Sequence, residues 1–181
     1  MRERLFYALL PDPDAAAATL RIAERVRADN PVGRWRPIAP ARIHVTVQFL
    51  ATFEAGVPPD IEHAAVAAGA AVTHEAFDAA FTHVDVFRGR RGDLPIVLLG
   101  DARGAVARLN AALRAALAAA GIGTYANGPY VPHVTIAYGA PVAAADLEEI
   151  VVWRVHELAL FKSRDGAPEF ERVAAWPLAG G

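Results

Sequence analysis

Ile43-His44-Val45-Thr46-Val47-Gln48-Phe49-Leu50 reads as a β-strand, and its centre returns 89 positions later as His133-Val134-Thr135-Ile136. Each copy follows a Pro-containing stretch. Side chains in a strand alternate faces with period two, so the His and the Thr of each copy point the same way. The chain has six His and seven Thr. Two such matches inside apolar flanks arise by accident on the order of 1 % of the time or less. One copy alone would read as a hydrogen-bonded structural histidine. Two copies offer two titratable rings and two hydroxyls to a common site.

Before the first motif, residues 4–10 form a strand and residues 13–29 a helix, with Leu20, Ile22, Ala23 and Val26 near helical spacing. Asp12 is placed to cap this helix, with Pro13 in its first turn. Pro31, Gly33, Pro37 and Pro40 make residues 31–42 a loop that delivers the chain to the strand at 43–50. A second helix runs from about 59 to 73, with Ala on its inner face. Residues 76–88 alternate imperfectly, as a bent strand would, and 94–100 form its neighbour. The clearest helix spans 102–120, where Val106, Leu109, Leu113 and Leu117 recur every three or four residues before Gly121. The loop to Pro132 then feeds the second copy at 133–138, and residues 150–162 and 169–178 read as closing strands.

Strand, helix and motif strand thus occur twice. This order predicts a single domain over 1–181 with an α+β architecture, largely antiparallel sheets and a rough duplication of its halves. Pairing the halves would bring His44 and His133 face to face.

Composition narrows the function. A net charge of −2 does not suit a protein that must displace counterions from a long nucleic acid, though it allows a small anionic ligand. The chain has no Cys, which removes disulfides, thiolate catalysis and cysteine metal sites. The N-terminal apolar run is too short for a signal peptide, and no apolar stretch reaches transmembrane length, so a cytoplasmic protein without membrane partners is expected. Ser163 is the only Ser and sits in no nucleophile motif. No His-x-x-x-His pair or similar ligand spacing occurs, so neither metal nor other cofactor is expected.

Two His and two Thr around one phosphate have a definite chemistry. A neutral imidazole removes a proton from water, an imidazolium opposite gives one to the departing alkoxide, and the hydroxyls of Thr46 and Thr135 bond non-bridging oxygens. Arg34, Arg36 and Arg42 before the first motif, and Arg88, Arg90 and Arg91 in a turn, are candidate phosphate contacts or solvated surface. Tyr130 is a candidate to stack on a base, or to fill the core. His63 and His74, on or near the second helix, read as solvated. His83 and His156 fall in strands and repeat no pattern.

With both motifs placed, the sequence resembles the two-histidine (2H) phosphoesterase superfamily, and within it the LigT-like RNA 2′,3′-cyclic phosphodiesterases, historically called 2′-5′ RNA ligases. The likeness spans nearly the whole chain, from Arg4-Leu5-Phe6-Tyr7-Ala8-Leu9 and Trp35-Arg36-Pro37 through the two motifs to Leu160-Phe161-Lys162-Ser163-Arg164 and Trp176-Pro177-Leu178. It implies a bilobal α+β fold, with two mostly antiparallel sheets around a central cleft, helices outside and a pseudo-two-fold duplication, and metal-independent hydrolysis of an RNA 2′,3′-cyclic phosphate to a 2′-phosphate. His44 and His133 are then catalytic, with His44 the acid and His133 the base, and Thr46 and Thr135 hold the phosphate. RNA 3′ ends, short oligonucleotides or cyclic nucleotides are the implied partners, and a monomer is expected. A nucleotide-binding module without turnover, a ligase or a 3′-exonuclease on the same fold are the alternatives. Two positions depart from the family pattern. Ala51-Thr52 stands where Gly-Glu is common, and Tyr138 stands where Arg is frequent, which makes Tyr138 a substrate-binding candidate.

Overall fold

A computed structural model describes residues 2–89 and 93–180. Its elements in chain order are β1 (Glu3–Leu9), α1 (Pro13–Asp29), β2 (Trp35–Pro37), β3 (Val45–Phe53), α2 (Pro59–Ala71), β4 (Phe77–Val86), β5 (Leu94–Gly100), α3 (Ala105–Ala119), β6 (His133–Gly139), β7 (Ala145–Val155), β8 (Glu157–Arg164) and β9 (Glu171–Pro177). The fold is α+β. Its sheet is antiparallel, with strand order β7-β4-β5-β6-β3-β1-β8-β9 and β2 paired to β6.

In place of two separate sheets, the strands lie on one path of hydrogen-bonded neighbours. A four-strand half ending in β6 meets another ending in β3, and Val45↔Val134 is the register pair that joins them. The β1–α1–β3 and β5–α3–β6 units repeat one order: a strand, a helix, then a motif strand paired antiparallel with the first.

The helices form where sequence and burial agree. The Asp12 carboxylate accepts from Ala15 N at 2.7 Å and caps α1, whose buried face is Ala15, Thr19, Ile22, Ala23 and Val26. Trp153 Nε1 donates to Thr19 Oγ1 at 3.2 Å, tying α1 to β7. Along α3, Val106, Leu109, Asn110, Leu113 and Leu117 are buried at helical spacing. Asn110 Nδ2 there donates to Val47 O at 2.6 Å, anchoring the helix to the first motif strand. Among the described residues, no helix is long and apolar enough to cross a membrane.

Two expectations need correction. Residues 150–162 are not one strand. β7 runs from Ala145 to Val155 and pairs with β4, whereas β8 starts at Glu157 and pairs with β1 in the other half. His156 alone separates them, so it lies between strands rather than in one. No Gly or Pro marks the break. Within the expected 31–42 loop, β2 forms three pairs with β6, Trp35↔Gly139 to Pro37↔Ala137. Gly139 permits this approach, because a Cβ there would stand 2.0 Å from Arg34 O. The imperfect alternation of 76–88 corresponds to a register shift between Phe81 and His83 in β4.

Candidate active site

His44 stands immediately before β3 and His133 opens β6, and both rings are held alike. His44 Nδ1 donates to Arg42 O at 2.7 Å and His133 Nδ1 donates to Val131 O at 2.8 Å, each two residues back. These bonds assign the neutral tautomer with hydrogen on Nδ1, leaving each Nε2 lone pair available. The Thr46 hydroxyl donates to His44 Nε2 at 3.1 Å. His44, Thr46, His133 and Thr135 all line one cleft of about 830 Å³. The structure therefore brings the four motif side chains together across the seam.

Two bulges shape the cleft wall. Tyr7 pairs with Gln48 and Ala8 with Thr46, so Val47 is left over in β3, and Phe49 turns to the same cleft as Thr46. Phe49 is 44 % exposed, a large apolar ring presented to solvent. In β6, Val97 pairs with Thr135 and Ile96 with Ala137, leaving Ile136 over, and Tyr138 joins the cleft lining.

Burial and charge set the rings' protonation. Desolvation pushes His44 down to about 4; charge on His133 and Arg42 acts the same way, against the Arg42 carbonyl bond that favours the charged ring. His133 is lowered too, by desolvation, against its bond to Val131 O. Phe6 and Phe170 supply much of the apolar surround of His44, with ring centroids at 5.6 and 5.0 Å. Phe87 lies 4.7 Å from His133. Both rings are therefore neutral at pH 7.

The other anticipated residues divide. Arg36 and Arg42 line the cleft. Arg36 lies 4.8 Å over the Tyr138 ring and pairs with Asp93 at 3.1 Å. Arg42 lies 4.4 Å over Phe170 and donates to Ala167 O at 2.8 Å and Ser163 Oγ at 3.3 Å. Tyr130 is half-buried, its hydroxyl donating to Thr46 O at 3.1 Å and held protonated by burial. It lines a smaller cavity of about 320 Å³ that shares Thr46, Phe49 and His133 with the cleft. Arg34 and Arg88 line neither cavity, and Arg90 and Arg91 lie outside the described residues. His63 is exposed on α2, His74 Nδ1 donates to Glu75 O at 2.7 Å, and His83 pairs with Asp146.

Sequence reading did not single out Arg4, Arg164, Phe6 or Phe170 as cleft residues, yet all four line it. Period two from Ala8 back through Phe6 to Arg4 was the available signal, since Leu5, Tyr7 and Leu9 face the main core. Among the described residues, no three His, Cys, Asp or Glu side chains cluster as metal ligands would.

A family model described as the 2′-5′ RNA ligase superfamily matches residues 5–167. TT0787 of Thermus thermophilus is similar in structure, with a TM-score of 0.74 and 26 % identity over 98 % of both chains. E. coli LigT complexed with 3′-AMP gives a TM-score of 0.66 at 20 % identity over 98 % of both chains. Kluyveromyces marxianus Usb1 gives 0.57 at 14 % identity, over 98 % of this chain and 97 % of that one. At such identities the last two share the fold. No curated protein sequence matches the chain.

Proposed function

The chain belongs to the 2′-5′ RNA ligase superfamily, and on that footing we propose that it hydrolyses RNA 2′,3′-cyclic phosphate ends, or small 2′,3′-cyclic nucleotides, to 2′-phosphates. The observation that carries this reading is the matched pair of histidines, both fixed through Nδ1 to a carbonyl two residues back, lining one cleft with Thr46 and Thr135. Nucleotide ligands in solved E. coli LigT, namely 3′-AMP, ATP and NADP+, support a nucleotide in such a cleft.

The reaction follows from these groups. Water attacks phosphorus in line with the bond to the 3′-oxygen, and the Nε2 of one ring, His133 by family likeness, takes its proton. The P–O3′ bond breaks, and the protonated Nε2 of His44 gives its proton to the departing 3′-oxygen, leaving a 2′-phosphate and a 3′-hydroxyl. The hydroxyls of Thr46 and Thr135 donate to the non-bridging oxygens as charge gathers there. His44 must be charged for its step. The substrate's own negative charge, placed beside it, raises its proton affinity, so binding loads the acid. Arg36 and Arg42 add positive charge at the cleft wall.

The deciding experiment incubates purified protein, with chelator, with 2′,3′-cyclic-phosphate oligonucleotides and 2′,3′-cyclic mononucleotides. A 2′-phosphate product is expected. Tight binding without product would instead make the protein a nucleotide-binding module.

A further inference from the structure

The cleft is far larger than one phosphate between two His-Thr pairs requires. Its lining carries Arg4, Arg36, Arg42, Arg164 and Asp165; Arg36 is paired with Asp93 and Arg164 with Glu3 and Glu171, whereas Arg4 meets Asp165 and Arg42 meets Ala167 O and Ser163 Oγ. On one flank the basic groups form a continuous path. Arg42, whose carbonyl holds His44, reaches Ser163 Oγ at 3.3 Å. Ser163 is the register partner of Arg4 across β8 and β1. Arg4 faces the cleft and lies well beyond the reacting centre: Ala8 pairs with Thr46 but Arg4 with Thr52. Four residues along β1 at about 3.4 Å each set it roughly 14 Å from the level of Thr46. No single phosphate at the histidines spans that distance.

Arg4 is also occupied in a way that a ligand can replace. Its guanidinium meets Asp165 at 2.6 Å; Arg2 reaches the same carboxylate at 3.7 Å but lies closer to Glu54, at 3.2 Å. Ion pairs this accessible to water are weakly held and screened by salt. A phosphodiester oxygen offers the same charge to the same fork of donors.

We propose that the flank from Arg42 to Arg4 is a phosphate track for the nucleotides upstream of the reacting end, and that Asp165 holds Arg4 in place until the RNA backbone displaces it. The substrate is then an oligonucleotide rather than a mononucleotide. A stacked strand rises about 3.4 Å per nucleotide, so the track takes up to about four nucleotides and fewer if the strand is extended. The track rests on the reading of the site as one for RNA ends.

Isothermal titration with 2′-phosphate-ended oligonucleotides of one to six nucleotides, at graded salt, tests it without turnover. Affinity is expected to rise with length and level off near four. The slope of log affinity against log salt should steepen by about 0.7 for each backbone phosphate engaged. Arg4→Gln should weaken the tetranucleotide about tenfold and lower its slope by about 0.7. Asp165→Asn, which removes the competing anion, should tighten it several-fold, and that opposite sign guards against a variant that merely folds poorly. Affinity independent of length, or an Asp165→Asn variant that binds no tighter, overturns the track. Length-dependent binding with no hydrolysis of any cyclic end would leave the track standing and refute the proposed reaction instead.

Discussion

Val45 and Val134, each the residue that follows a motif histidine, face one another as the register pair that joins the two halves of the sheet. Because each is buried, the His before it and the Thr after it point to the opposite face. The same pair that closes the core therefore opens the site, and both copies of the motif are placed by one contact.

Removing either ring should be more damaging than removing either hydroxyl. His44→Ala and His133→Ala are each expected to lower kcat on a 2′,3′-cyclic-phosphate oligonucleotide by about 10²–10⁴-fold. Thr46→Ala and Thr135→Ala should each lose about 10²–10³-fold, as loss of one preorganised donor does. Product release followed by phosphate-end mapping measures this, with circular dichroism to establish folding. Turnover near wild type in either His variant would sink the acid–base scheme.

The depressed titration of both rings fixes the sign of the pH response. With His44 near 4 and His133 also lowered, free protein carries the needed single proton mainly at acidic pH. The optimum of kcat/KM should therefore lie below the ordinary histidine value of about 6.5. The optimum of kcat should lie higher, since bound phosphate restores the charged ring. Stability follows the same linkage. Between about 6.5 and 4 the unfolded chain binds the His44 proton that the native ring refuses, so the melting temperature should fall as pH drops through that window. A kcat/KM optimum above pH 7 contradicts the scheme.

Arg42 acts on His44 through its charge as well as its carbonyl. Arg42→Gln keeps the backbone bond and removes the guanidinium that helps hold the ring neutral. The His44 titration followed by ring NMR should move up toward the ordinary value, while His133, lowered by desolvation alone, stays in place. Equal movement of both rings would show a general loosening instead.

Gly139→Ala tests how β2 delivers Arg36. The new methyl group would meet Arg34 O, so β2 must shift away from β6. Overpacking of this kind costs about 1–3 kcal/mol, which a thermal melt will register. Because Arg36 and Tyr138 sit on the displaced pair while the histidines do not, KM should rise by more than kcat falls. A larger loss in kcat would mean that β2 supports the histidine pair itself.

Much of this protein was legible in local pattern. The helix starting at Pro13 has a capping Asp and a Pro at its first turn, and α3 has four buried apolar side chains, Val106, Leu109, Leu113 and Leu117, at helical spacing; both signals act within a few residues. Smaller features were not legible. Three-residue β2 has no propensity signal of its own and exists because β6 is there to pair with it.

Strand periodicity is a property of the chain alone, so the two-residue spacing of His and Thr specified which side chains each motif strand presents together. Tertiary contacts settled which face of that strand meets solvent, which partner sits across the seam and where register slips. The bulges at Val47 and Ile136 turn Phe49 and Tyr138 into the cleft, and the single break at His156 sends β7 and β8 to opposite halves. Such choices depend on hydrogen bonds and burial between segments far apart in the chain, where no local periodicity can record them.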